Sequence, residues 1–506
     1  MNWGIIRKSF KHDDMRKRIF AVLGIIFIFR VLAQIPIPLA DPTTLKELLN
    51  TLFTATKDTQ LFSFLDVISG GALANFSIML IGLGPYINAS IIMQLLTQAI
   101  PKLEALNKEG EFGRKKINQI TRTITFPLAI VQSVGALFLV RQQAQQISGV
   151  DILANASIST WVLMISALVG GSMLLMWLGE LITEQGVGNG ISLLITAGIV
   201  SGLPSTIASI TTSVFAGDNS VSIFGRTINY RTESLVIALI ILVAVVFTTW
   251  AVVKLNEAAR NLTINYAKRV QGNRAYGGVT SKLPVKLITA GVIPIIFAVA
   301  FLSVPSFVGQ ILTSNSSAKL AELGNNLLLW FQQPTSETFA QPGLIPYIYP
   351  VVYFVLIVMF TFFYTGITFN AKEIAENLQK QGGFIEGIRS GNDTEKYLRG
   401  VVNKLTLFGS FALGFIALGP IIGQIFLNTN ITVGGTSVLI LVAVALETLR
   451  QIESRALMVT YDDYSTPDFV YGPTTDLEAA SGAGQLRFSP KRLLRRNRKT
   501  AKKAKK

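Results

Sequence analysis

The sequence predicts an all-α integral membrane protein with ten transmembrane helices, and three observations carry that expectation. Of 506 residues, 50% are hydrophobic and 15% charged, with a mean hydropathy of +0.48, far more apolar than a soluble chain of this length needs. The apolar residues gather into runs near the length that crosses a bilayer as a helix, about 20 residues. Lysine and arginine concentrate in alternate connections, as they do where loops remain in the cytoplasm.

The runs fall at roughly 19–38, 76–97, 121–141, 159–179, 188–204, 234–253, 285–305, 347–368, 403–422 and 433–450. Arg7, Lys8, Lys11, Arg16, Lys17 and Arg18 precede the first, and Lys102, Lys108, Arg114, Lys115 and Lys116 follow the second. Long basic connections at about 254–284 and 369–402 follow the sixth and eighth. The intervening connections, near 38–75, 142–158, 205–233 and 306–346, are poor in positive charge and rich in Ser, Thr, Asn and Gln. An even number of spans with both termini in the cytoplasm satisfies this asymmetry. One turn does not contribute: after the fourth run stand Glu180 and Glu184 and no cation. Residues 1–18 then form a cytoplasmic segment, 19–204 a first half of five spans, 205–233 an outer link, 234–450 a second half, and 451–506 a cytoplasmic tail. Two five-span halves in opposite orientations would be an inverted pseudo-symmetric pair, an arrangement that often encloses a midplane pathway lined by interrupted helices.

Several chemistries find no residues. The chain has no cysteine, so it offers no disulfide, thiolate metal site or cysteine nucleophile. Its single histidine, His12, lies in a charged stretch that reads as solvated surface. MNWGIIRKSFKHDDMRKR has no short apolar core with a small-residue cleavage site, so no cleavable signal peptide is expected. No GxxxxGK[ST] loop is present, and energy for any transport must come from partners or the membrane potential. An intramembrane enzyme would need a nucleophile with its base or a metal cluster, and no enzymatic activity, cofactor or metal is expected. A secondary transporter would place ionisable groups near the midplane, whereas the central spans carry mainly aliphatics, Asn and Gln. Arg30, about eleven residues into the first run, reads as a packing residue that is paired or faces water.

Some spans are interrupted. "EQGVGNGISLLITAGIVSGLP" opens the fifth with Gly186, Gly188 and Gly190 around Asn189, followed by Ile191 and Ile195 on one face. "GLGPYINAS" in the second has Gly82, Gly84 and Pro85 with Leu83 and Ile87 four apart; the seventh has Pro294 and Ile296, and the tenth has "GGTSVLI" with Ile440. Such breaks are tolerated where freed backbone groups meet protein or water instead of lipid. On composition, they fit either small-residue packing around core isoleucines or a cavity narrowed by an apolar ring.

"FSFLDVISGGAL", "GPYINASIIMQLL", "NKEGEFGRKKINQITR", "MWLGELITEQGVGNGISLLI", "INYAKRVQG", "LPVKLITAGVIPIIFA", "FNAKEIAENLQKQGGFIEGIRSG" and "GGTSVLILVAVALETLRQIES" occur in order over roughly 15–455. In these the chain resembles the SecY family of bacterial protein-conducting channel subunits. The resemblance implies two five-helix halves around a central pore, through which unfolded secretory polypeptides cross and hydrophobic segments leave sideways. It implies a pore ring of Leu83, Ile87, Ile191, Ile195, Ile296 and Ile440, which would seal by mutual contact and dewetting without binding the passing chain.

By the same resemblance residues 61–75 form a re-entrant plug, with Phe64, Leu65, Ile68, Ser69, Gly70 and Gly71. Asn75 and Ser77 would then sit beside a water-filled funnel. Asn88 and Gln94 are candidates for a lateral seam towards the seventh and eighth spans, the alternative being ordinary interhelical hydrogen bonds. Lys268, Arg269, Arg274 and Arg389 mark docking loops for the SecA motor ATPase or the ribosome, with SecE and SecG homologues completing a heterotrimer in the bacterial cytoplasmic membrane. The alternative reading for most of these cations is a solvated positive-inside loop. The end departs from the family: from 487 "RFSPKRLLRRNRKTAKKAKK" carries about eleven cations and no acid, and reads as a disordered tail that contacts anionic lipid or ribosomal RNA.

Overall fold

The computed structural model describes residues 13–37, 77–148, 157–215, 219–223, 226–266, 269–271, 274–276, 280–313, 318–331, 334, 343–427 and 435–465. A helix covers each predicted run: α1 (Asp13–Leu32), α2 (Gly84–Ala99), then after the short α3 (Pro101–Lys108) α4 (Glu111–Ser148), α5 (Ile158–Gln185), α6 (Gly190–Phe215), α7 (Thr232–Glu257), α8 (Ile293–Thr313), and, after α9 (Ala318–Phe331), α10 (Ile345–Thr368). After α11 (Ala371–Lys380) come α12 (Asn392–Leu427) and α13 (Gly435–Ser465). Among the described residues five helices are long and apolar enough to cross a membrane, and Gly190–Pro204 and Ile293–Gly309 are shorter apolar helices. Only 6% of the α7 window is buried. So much uncovered apolar surface needs lipid as its solvent.

Three runs differ from the helices they became. Residues 77–83 are a bridge and turns, so α2 starts at Gly84 instead of 76. The fifth run does not stop at Pro204, because the helix continues through that proline to Phe215, as membrane helices allow when neighbours satisfy the freed carbonyl. The seventh begins at Ile293 because Thr280–Lys286 is a strand.

That strand belongs to structure the hydropathy pattern did not show. β3 (Ala259–Tyr266) lies between β6 (Thr280–Lys286) and β7 (Gly383–Ile385), antiparallel to both, with Leu262 opposite Leu283 and Ile264 opposite Ile385. Period-two alternation puts Leu262 and Ile264 on one face. Leu262, Val285 and Ile385 join Ala371 of α11 and Leu398 and Val402 of α12 in a small core. The two basic connections thus meet as one folded platform. Shorter hairpins are β1 (Asn219–Ile223) with β2 (Arg226–Tyr230), and β4 (Arg269–Gln271) with β5 (Arg274–Tyr276).

Among the described residues, 16–451 belong to one compact unit, and 13–15 and 452–465 belong to another. Within the larger unit α2 packs on α4 and α8, α5 on α4 and α6, and α10 on α8 and α12.

Candidate functional site

The candidate ring is built where helices begin. Before α2, Ile78 N–H donates to the Ile35 carbonyl (3.0 Å) and Ser77 Oγ to the Leu32 carbonyl (3.1 Å). Gly82 turns with φ +61°, and Ser172 of α5 donates to its carbonyl at 3.0 Å. Gly171 allows this approach, since a Cβ there would stand 2.1 Å from the Ile78 carbonyl oxygen. Held in this way, Leu83 caps α2, and Ile87, whose N–H donates to the Leu83 carbonyl at 3.0 Å, shares its face.

At α6 the Gly-Asn-Gly stretch has separable parts. Gly186 ends α5 in the left-handed region at φ +65°. Asn189 caps α6, its Oδ1 accepting from Ile191 N–H (3.1 Å) and Ser192 N–H (3.4 Å). Gly190 N–H donates to Thr183 Oγ1 at 2.9 Å, and a Cβ on Gly190 would lie 1.8 Å from the Gly179 carbonyl oxygen. Ile191 and Ile195 follow directly. A Cβ on Gly188 would be 3.2 Å from Thr448 Oγ1, so the α5–α6 turn lies against α13, the helix carrying Ile440. Ile296 lies in the first turn of α8, beside Phe297, which packs edge-on to Phe360.

Leu83 (1% exposed), Ile87, Ile195, Ile296 and Ile440 are buried; Ile191 is half-buried. Of the helices that carry these residues, α2 packs on α8, and the turn that precedes α6 lies against α13 at Thr448, two turns from Ile440. Such side chains offer water no hydrogen bond, so a constriction of them resists wetting.

The other predicted residues divide. The plug residues Phe64, Leu65, Ile68, Ser69, Gly70 and Gly71, with Asn75, Lys268 and the tail from 487, lie outside the described residues. Ser77 does not face a water-filled funnel. It is fully buried, and its hydroxyl is satisfied by the Leu32 carbonyl it donates to and the Met79 N–H it accepts from, which offsets the desolvation a funnel would have avoided. Asn88 is buried on α2. Gln94 donates from Nε2 to Ser90 Oγ (3.2 Å), leaving Oε1 buried without a hydrogen-bond partner among the described residues. An orphaned buried acceptor costs about 1–3 kcal/mol. Gln94→Leu is therefore expected to raise the unfolding midpoint, and an unchanged or lower midpoint would show that the amide is satisfied in the membrane.

Arg269 and Arg274 lie on the β4–β5 hairpin. Arg389 is exposed on the loop between β7 and α12, flanked by Gly387 (φ +78°) and Gly391 (φ +102°), with its carbonyl held by Thr394 Oγ1 at 2.9 Å. The sheet core supports that loop from beneath. Arg30 is half-buried, with its guanidinium carbon 5.7 Å from the Phe29 ring centre.

Hydropathy concealed a set of polar ties. Arg122 of α4 grips Glu180 of α5 with two contacts, Nε to Oε1 at 2.8 Å and Nη2 to Oε2 at 2.5 Å. Arg18 donates to the Gln185 carbonyl at 3.1 Å. Cations from two other helices thus serve the acidic turn after the fourth span. Arg450 Nη2 donates at 3.0 Å to the Asn256 carbonyl in the last turn of α7, where the helix dipole favours a cation. Lys286, at the end of β6, has its pKa lowered from 10.5, first by burial and then by Arg450, with Glu447 opposing. Its charged form is thus disfavoured on folding. Stability should rise with pH between that lowered value and 10.5. Denaturant midpoints across this window should climb in the wild type and flatten in Lys286→Met; parallel curves would contradict this.

The uncovered apolar helices and their interrupted starts define a multi-pass helical membrane channel. Residues 77–449 match the SecY family profile. The protein translocase subunit SecY of Streptomyces coelicolor is 39% identical over 463 residues, covering 90% of this chain and 98% of that one. A structure described as that of a protein-conducting channel shares the fold at TM-score 0.55 and 17% identity, over 86% of this chain and 91% of that one. A second, of a SecY protein whose plug domain is described as stabilising the closed channel, does so at TM-score 0.54 and 18% identity with the same coverage. The chain belongs to the SecY family.

Proposed function

We propose that the protein is the central channel subunit of a bacterial translocon, passing unfolded secretory polypeptides across the cytoplasmic membrane and releasing hydrophobic segments sideways into the bilayer. The observation that carries this reading is the burial of Leu83, Ile87, Ile195, Ile296 and Ile440 at helix starts, where a pump or enzyme would need ionisable groups. Family membership supports the same reading. In it Ile191 completes the ring, residues 61–75 form the plug, and Asn88 and Gln94 face the seam through which signal sequences exit.

Both termini are cytoplasmic in this reading, as is the β3–β6–β7 platform. Arg389, Arg269, Arg274 and Lys268 there meet SecA or the ribosome, the latter through phosphates that lysine and arginine bind without reading sequence. SecE and SecG homologues complete the heterotrimer, and the basic tail meets anionic lipid or ribosomal RNA. The protein is not an enzyme and draws its driving force from SecA, the ribosome or the membrane potential.

The test is reconstitution of the heterotrimer in vesicles with SecA, ATP and a secretory precursor. Protease-protected precursor should appear only when all are present. Arg389→Glu should lower its yield at limiting SecA without changing the amount of heterotrimer recovered. No protected precursor from an intact wild-type heterotrimer would overturn the channel reading.

A further inference from the structure

α8 and α9 form an antiparallel hairpin whose helices almost touch backbone to backbone. A Cβ on Gly309 would lie 2.9 Å from the Gly324 carbonyl oxygen, and one on Gly324 would lie 2.7 Å from that of Gly309. Seven residues on, the hairpin is closed by Ser306 Oγ, which donates to the Phe331 carbonyl at 2.9 Å. α9 therefore runs back along α8 instead of leaving the bundle.

Each helix keeps an exposed apolar stripe beside this contact: Phe301, Val304 and Val308 on α8, and Leu320, Leu323 and Trp330 on α9. At 100° per residue, both stripes trail the contact glycine of their own helix by about a quarter turn. In an antiparallel pair equal offsets project to the same side, because the two-fold axis relating the helices is perpendicular to their common plane. The six side chains therefore make one continuous apolar face. On α9 the exposed Glu322, Asn325 and Leu329 lie on a different arc, and the exposed Lys319 stands at the edge of the apolar one, at the outer end of the helix.

We propose that this face binds lipid at the bilayer boundary on the side away from the β3–β6–β7 platform: α9 runs back beside the outer part of α8, and Trp330, at its inner end, stands at the junction of acyl chains and headgroups. Continuity selects lipid as the occupant, since the α8 half of the face belongs to an apolar span. Depth agrees. With Ile296 of the ring at the midplane, Ser306 stands ten residues further on, about 15 Å along the helix and at the edge of a hydrocarbon core about 30 Å thick, and its bond to Phe331 brings Trp330 to that level. Tryptophan favours that boundary. α9 thereby ties α8, which carries Ile296, to the membrane surface. This inference rests on the membrane fold and is independent of the cargo.

The test uses the full chain in phosphatidylcholine vesicles, with Trp3, Trp161, Trp177 and Trp250 replaced by phenylalanine so that Trp330 is the sole tryptophan. Acyl chains brominated near the headgroup should lower its emission about twofold relative to unbrominated lipid, while acrylamide quenches weakly. Strong acrylamide quenching without bromine quenching would place the face in water, and quenching by neither would mean that protein covers it; either result overturns the proposal. Should that variant misfold, Leu323→Cys in the wild-type background, where no cysteine competes, carries a nitroxide label. Lipid contact predicts collisions with oxygen over a water-soluble nickel chelate, and the reverse preference overturns it.

Discussion

Replacing Ile191 and Ile195 together with serine is expected to raise the resting ion conductance of the reconstituted channel by at least about tenfold. Each isoleucine contributes about 1.5–3 kcal/mol when removed from water, and about 1.4 kcal/mol in a barrier is a factor of ten. Serine also supplies the hydrogen bonds that let water persist in a constriction. Both residues lie in the first two turns of α6, after the Asn189 cap, and the substitutions leave that cap and the Gly190–Gly179 contact in place. Planar-bilayer recordings compare the variant with Ile191→Leu/Ile195→Leu, which keeps the aliphatic surface and should stay tight. Equal leak in both would mean that these side chains do not form the seal.

The second large effect falls on adjacent glycines with opposite outcomes. Gly171→Ala puts a methyl 2.1 Å from the Ile78 carbonyl oxygen, a backbone atom that cannot turn aside, and overpacking of this kind costs about 1–3 kcal/mol or more. Gly170 meets nothing within 4 Å, so Gly170→Ala gains helix propensity of up to about 1 kcal/mol. Thermal midpoints of the purified proteins should separate in opposite directions from wild type. The Gly171 variant should also leak, because segment 77–83 positions Leu83. Equal midpoints would show that α5 and this segment do not meet as described.

Much of this architecture was legible because lipid imposes few solutions: every run of sufficient length became a helix, and the interrupted starts at Gly82–Pro85 and Gly186–Gly190 are where the candidate ring begins. What stayed hidden depends on tertiary pairing. The alternation in Asn261–Asn265 is too short to declare a strand, and it becomes one through Leu283 and Ile385, which lie far apart in sequence. Ser77 read as a wetted residue because its partner, the Leu32 carbonyl, belongs to another helix. The turn after the fourth span gave no charge signal because the cation that pairs Glu180, Arg122, comes from α4, and Arg18, which reaches the Gln185 carbonyl, comes from α1. Gly309 and Gly324 resemble ordinary loop-side glycines until the hairpin brings them together.

Because the chain contains no cysteine, the placement of the ring beside a moving polypeptide can be measured directly. A single cysteine at Ile191 is paired with a secretory precursor that bears one cysteine and is stalled midway by a folded domain, in the presence of SecA and ATP. The account predicts a disulfide between the two that forms only with SecA, ATP and the stalled precursor. If no disulfide forms while a control cysteine on the Arg389 loop reacts readily, Ile191 does not line the polypeptide path and the ring assignment is contradicted.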